Sequence, residues 1–179
     1  MSFTSFLAIL GKGYLEILKA PFKDLTILWQ LAPLILIWLL MEYYFETHTG
    51  EKLGWNSAVG NAISLFWICI SMMNIIFLKD IFSWGKFFVI LFMLLYAIFI
   101  GYISFRHSFS ENITFALAHT FIIYYIAIFV VLWSFGSLSP SWYVILDIII
   151  LFSILSLIRY FIRKHFASNT SSGSSNAPF

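Results

Sequence analysis

The chain has 179 residues, of which 61% are hydrophobic and only 10% are charged, and its mean hydropathy is +0.95. These values lie far outside the range of a soluble globular domain and indicate an integral membrane protein. The formal net charge of +2 is too small, and the basic residues are too scattered, for a nucleic-acid-binding surface. The single cysteine, Cys69, excludes an intramolecular disulfide.

Residues 1–24 have the pattern of an amphipathic helix that precedes the membrane domain. Apolar residues recur at helical spacing at Phe3, Phe6, Leu7, Leu10, Tyr14, Ile17 and Leu18. The opposite face carries Lys12, Glu16, Lys19 and Lys23. We therefore predict a helix in the membrane interface, with its lysines toward the lipid headgroups. The alternative is that the same helix packs on the end of the protein's own bundle.

Five apolar segments then follow, each close to the length of about 20 residues that a helix needs to cross a bilayer. They are predicted at residues 25–45, 57–78, 86–105, 114–135 and 142–162. Because the linkers are short, sequential helices should be antiparallel neighbours in one bundle covering residues 25–166. Residues 167–179 are polar and of low complexity, and we predict a disordered tail.

Two residues should shape the helix of the first span, one at its start and one within it. Asp24 directly precedes its apolar run and is a suitable N-cap. Pro33 lies inside it and should bend the helix, because proline has no N–H to donate to the preceding turn.

The distribution of lysine and arginine does not decide the orientation, because five of these residues fall on each side of the membrane. Three lysines precede the first span and a mostly acidic stretch follows it, which favours a cytoplasmic N-terminus. Five crossings then place the C-terminus on the opposite side. The identity of the membrane does not follow from the sequence.

The linkers after the first and third spans must lie on one side of the membrane, and polar residues cluster near that level. The predicted outer cluster consists of Glu42, Asn61, Arg106, His107 and His119. Such residues commonly pair with one another and fix the bundle, and the alternative is a ligand-binding or catalytic site. A metal site from Glu46, His48, His107 and Glu111 is chemically conceivable, but the spacings match no ligand motif. We therefore predict no catalytic residue, no cofactor and no metal.

A second, thinner layer of polar residues is predicted near the opposite side, formed by Gln30, Asn74 and Asp147. Asp147 is the most unusual residue, since an acidic group within a span is costly. It is either neutral, paired with a lysine of the second loop, or extended toward the membrane surface. Small and polar residues also form a stripe on the second span, at Ser57, Gly60, Ser64, Ser71 and Asn74. We expect this stripe to be a buried packing face and not the lining of a pore.

Three functions are compatible with these features. The first, which we favour, is a non-catalytic scaffold or accessory subunit that binds partner membrane proteins or lipids, or forms a homo-oligomer. The second is a small transporter or proton-coupled carrier that uses Glu42, His119 and Asp147. The third is an intramembrane lipid-modifying enzyme with Glu42 or His119 as general base. The enzyme requires a lipid-accessible cavity at the outer cluster.

Overall fold

The computed structural model describes residues 3–47 and 54–173. Within these residues the backbone forms seven α-helices and one short 3-10 turn. The helices are α1 (Phe3–Lys19), α2 (Leu25–Thr47), α3 (Trp55–Leu78), α4 (Trp84–Arg106), α5 (Glu111–Leu117), α6 (Thr120–Ser134) and α7 (Trp142–Gly173). Five segments are long and apolar enough to cross a membrane, which confirms the predicted all-α membrane bundle with five spans.

Asp24 begins α2 as predicted. Its Oδ1 accepts a hydrogen bond from the backbone N–H of Thr26 at 2.8 Å, which satisfies one free donor of the first turn. Its other carboxylate oxygen pairs with Lys79, so the ends of α2 and α3 meet on one side of the bundle. The hydrogen bond from Lys79, followed by those from Thr26, lowers the pKa of Asp24 to about 2.

The span formed by α5 and α6 is the most buried of the five. Helix α6 packs against α2, α3 and α4, and α3 makes its most extensive contact with α4. A Cβ added to Gly101 of α4 would meet Ala62 of α3 at 3.6 Å, so small residues allow these two helices to approach closely. In contrast, α2 and α3 have no extensive contact with each other in the part of the chain that the structure describes.

The fourth span is not the continuous helix predicted at residues 114–135. It is interrupted at Ala118 and His119, and α6 begins anew at Thr120. The imidazole of His119 accepts a hydrogen bond from the N–H of Phe121 at 3.2 Å, which caps the new helix. A helix-length run of apolar residues conceals such an interruption, because hydropathy is the same on both sides of it.

Helices α1 and α7 also differ in part from the predictions made from the sequence. Helix α1 packs on α7, as in the alternative considered from the sequence, and its position in the membrane interface stays a prediction. Helix α7 continues to Gly173, so the first residues of the predicted polar tail are helical. Residues 174–179 lie outside the described residues.

Candidate functional site

We call the end of the bundle that carries the linkers after α2 and α4 the outer end. There, Arg159 of α7 lies between two residues of the predicted outer cluster. Its Nε is 3.0 Å from Oε2 of Glu42 on α2, and its Nη1 is 3.2 Å from Nε2 of His119. The side chains of Arg159 and Glu42 are only 24% and 17% exposed, respectively. Glu42 and His119 therefore meet through Arg159, which was not part of the predicted outer cluster.

The surroundings of His119 restrict its chemistry. Its Nδ1 accepts the hydrogen bond from the N–H of Phe121, and its Nε2 lies 3.2 Å from Nη1 of Arg159. An imidazole offers at most one acceptor nitrogen, and here that acceptor already caps α6. Both ring nitrogens therefore face groups of the protein itself, which favours a structural role for His119.

Asn61 lies beside the interruption of the fourth span. Its side chain is 2% exposed, and its Nδ2 donates to the carbonyl of Ala118 and to Oγ1 of Thr120, both at 2.9 Å. A carbonyl that loses its helical partner must be satisfied by another donor when it is shielded from water. Asn61 supplies that donor, so its position in the predicted cluster has a structural explanation.

Arg106 and His107 lie elsewhere. Both are exposed at the end of α4, where His107 adopts a left-handed conformation with φ of 51° and ends the helix. The imidazole of His107 stacks on Trp55 at a centroid distance of 4.0 Å. Of the four conceivable metal ligands, the side chains of Glu46 and His48 lie outside the described residues. Among the residues that are described, no three His, Cys, Asp or Glu side chains form a group that could hold a metal ion.

The members of the second predicted layer do not meet. Oε1 of Gln30 accepts a hydrogen bond from Ser71 of α3 at 3.1 Å, while Asn74 is exposed. Asp147 is 0% exposed, and neither carboxyl oxygen has a hydrogen-bond partner in the described structure. It is therefore not extended toward the surface, and α1 covers it.

A crevice lies between α2 and α3, where these helices lack extensive contact, and α6 forms its floor. Its inner part has a volume of 450 Å³ and its outer part 310 Å³, and both parts are bordered by Ile37, Ser64 and Tyr124. Trp29 and Trp67 stand at its rim, 79% and 70% exposed. The stripe on α3 borders this crevice through Ser57, Gly60, Ser64 and Ser71, none of which is buried. The prediction that these residues form a buried packing face was therefore wrong.

Hydrogen-bonding groups line the crevice along its length. They are Gln30, Asn56, Ser57, Asn61, Ser64, Ser71 and Tyr124. The hydroxyl of Tyr124 is hydrogen bonded to Ser64. Pro33 also borders the crevice, and because it has no N–H it cannot donate to the carbonyl of Trp29. Among the described lining residues there is no carboxylate, imidazole, amine, guanidinium or thiol.

Sequence reasoning identified Gln30, Asn61 and Ser64 separately but not the crevice that joins them. Tyr124 was the hardest to find, since tyrosine in an apolar span is common and its depth depends on how α6 packs. The combination of Pro33 on one span with small and polar residues on the next was the available signal. Comparisons with known proteins find no matching family model, no matching curated protein and no matching solved structure.

Proposed function

We propose that this multi-pass membrane protein is a non-catalytic scaffold or accessory subunit, which binds a transmembrane helix of a partner protein in the crevice between α2 and α3. The observation that carries this proposal is the lining of the crevice. It combines apolar side chains with hydrogen-bonding groups, and the phenol of Tyr124 is the one titratable side chain among its described lining residues. The serine hydroxyls of the lining have no histidine, lysine or carboxylate among those residues to activate them. Such a lining is suited to binding, whereas acid-base chemistry needs titratable groups beside the substrate.

The distribution of the polar groups favours a helix over a lipid chain. On α3 they extend from Asn56 to Ser71, which corresponds to about 22 Å along a helix. Several of these groups already pair within the protein, such as Gln30 with Ser71 and Tyr124 with Ser64, but amides and hydroxyls can make further hydrogen bonds. A lipid has its polar atoms at one end, so its acyl chain offers no partner for those further hydrogen bonds. A helix can present hydroxyl or amide side chains at several levels.

The small residues of α3 support the same occupant. A Cβ added to Gly60 would meet nothing within 4 Å, and Ser57 and Ser64 flank it on the same face. Small residues at this spacing let two helix backbones approach closely, which is the usual basis of helix association in lipid. Gly60 and Ser64 do not fill this role within the described fold.

The ionisable groups support a structural role and not catalysis or transport. Glu42, Arg159 and His119 face one another and do not line the crevice. Asp147 is twelve residues from Arg159 on α7, which corresponds to about 18 Å. A proton-coupled carrier would need titratable groups across that interval.

A photo-crosslinking amino acid at Gly60, introduced in the native membrane, tests the proposal. We expect one protein adduct of defined mass, lost when Ser64→Leu fills the crevice, and absent when the crosslinker replaces Phe92. Phe92 is the matched control because it is 71% exposed on α4, away from the crevice. An adduct with a second copy of this chain, an adduct with lipid alone, or an equal yield at Phe92 would overturn the proposed occupant.

A further inference from the structure

Asp147 is buried without any group that stabilises a negative charge. Both its oxygens lack hydrogen-bond partners in the described structure. The lysines of the second loop are engaged elsewhere, since Lys79 pairs with Asp24 and Lys86 donates to the carbonyl of Ile81 at 3.2 Å. Burying an isolated carboxylate costs far more than burying a neutral carboxylic acid. Of the three states considered from the sequence, the neutral acid is therefore the one that fits this structure.

Helix α1 packs directly over the Asp147 carboxyl. A Cβ added to Gly13 would lie 1.8 Å from Oδ2 of Asp147 and 3.1 Å from the ring of Tyr143. Only glycine allows the helix to approach so closely. On the same side of α1, Ile17 is 7% exposed, and Ala20 in the 3-10 turn that follows (Ala20–Phe22) is fully buried. The carboxylate of Glu16 accepts from the backbone N–H of Ser139 at 3.1 Å, at the entrance to α7.

The titratable groups that the described structure places around Asp147 are tyrosines. Tyr14 of α1 and Tyr143 of α7 are its neighbours, and Tyr125 of α6 lies beside Tyr14. Burial raises the pKa of Tyr14, so its phenol stays neutral at any physiological pH. Tyr125 donates its hydroxyl to the carbonyl of Ile148 at 2.5 Å. From the helices packed here, no described cation faces Asp147.

We propose that α1 is a proton-controlled latch: it docks on α7 while Asp147 carries a proton, and loss of that proton releases it. Once α1 has left, water can reach the carboxyl and stabilise its ionised form. The docked state binds the proton more tightly than the released state does. Docking is therefore complete at low pH and weakens as the pH rises, and with one linked proton the released fraction grows about tenfold per pH unit while it remains small.

Thiol labelling of α1 tests this latch in the full-length protein. In a Cys69→Ser background, Ile17→Cys places a thiol on the buried face of α1, and Leu18→Cys places one on its exposed face. The ratio of their maleimide labelling rates removes the intrinsic pH dependence of the thiol. We expect this ratio to rise at least about tenfold between about pH 5 and about pH 9.

Two variants separate the latch from a passive contact. Asp147→Asn cannot ionise, so the ratio should stay low and independent of pH. Gly13→Ala removes the space for the carboxyl, so the ratio should be high at every pH. A flat ratio in the parent protein, or an unchanged slope in Asp147→Asn, would overturn the latch. Should the asparagine variant fail to fold, Asp147→Leu takes its place, and the parent's own pH profile remains decisive.

Discussion

Replacing Asn61 by leucine tests whether this side chain holds the interruption of the fourth span in place. The change removes two interhelical hydrogen bonds of 2.9 Å and keeps a side chain of similar size. Interhelical hydrogen bonds within membranes contribute about 0.6 kcal/mol each on average. The carbonyl of Ala118 also loses a partner, which costs a further 1–2 kcal/mol or so. We expect the free energy of unfolding to fall by about 2–3 kcal/mol.

The measurement is an equilibrium unfolding titration in mixed micelles. Asn74→Leu is the matched control, because Asn74 lies on the same helix but is exposed. It should change the free energy of unfolding by less than about 0.5 kcal/mol. Equal stabilities of the Asn61 and Asn74 variants would refute the role of Asn61 at the interruption.

Three further predictions concern other contacts. Arg159→Met should lower the free energy of unfolding in mixed micelles by about 1–3 kcal/mol, because it removes the cation that lies 3.0 Å from the largely buried carboxylate of Glu42. Adding Glu42→Gln should recover part of that loss, and strictly additive losses would contradict the interaction. Gly101→Ala should change the free energy of unfolding by less than about 0.5 kcal/mol in the same titration. Gly101→Leu should lower it by about 1–3 kcal/mol, because the larger side chain overpacks the contact between α3 and α4. Equal effects of the two variants would contradict that close contact. Because the pKa of Asp24 is lowered to about 2, its ion pair with Lys79 stabilises the fold fully above about pH 4, and this stabilisation is lost as the pH falls toward about 2. Lys79→Met should therefore reduce the free energy of unfolding at neutral pH. The difference between variant and parent should disappear at the acidic end of a pH series.

The number and limits of the spans could be predicted because the bilayer imposes length and apolarity on each segment separately. Asp24 was predictable for a similar reason, since a cap depends on its own helix. The predicted limits at residues 57–78 and 86–105 differ from α3 and α4 by two residues or fewer at each end.

The contacts between helices could not be predicted in the same way. Arg159 lay at the correct end of its span, but its position between Glu42 and His119 depends on how three helices are rotated about their axes. Apolarity alone does not fix that rotation in lipid, because a lipid-facing leucine and a buried one are equally apolar. The crevice escaped prediction for the same reason, since a stripe of small residues is typical of a closed contact as well as of an open one.

The contact of α1 with α7 has a consequence for biosynthesis. Helix α1 is synthesised before all five spans and contacts the fifth, α7, so it cannot dock until α7 has been inserted. Glu42 likewise waits for Arg159, and α2 and α3 wait for α6. Assembly of these contacts is therefore late and cooperative. A chain truncated before residue 142 would lack α7 and would leave the α7-facing sides of α1 and α2 exposed to the quality-control machinery of the membrane.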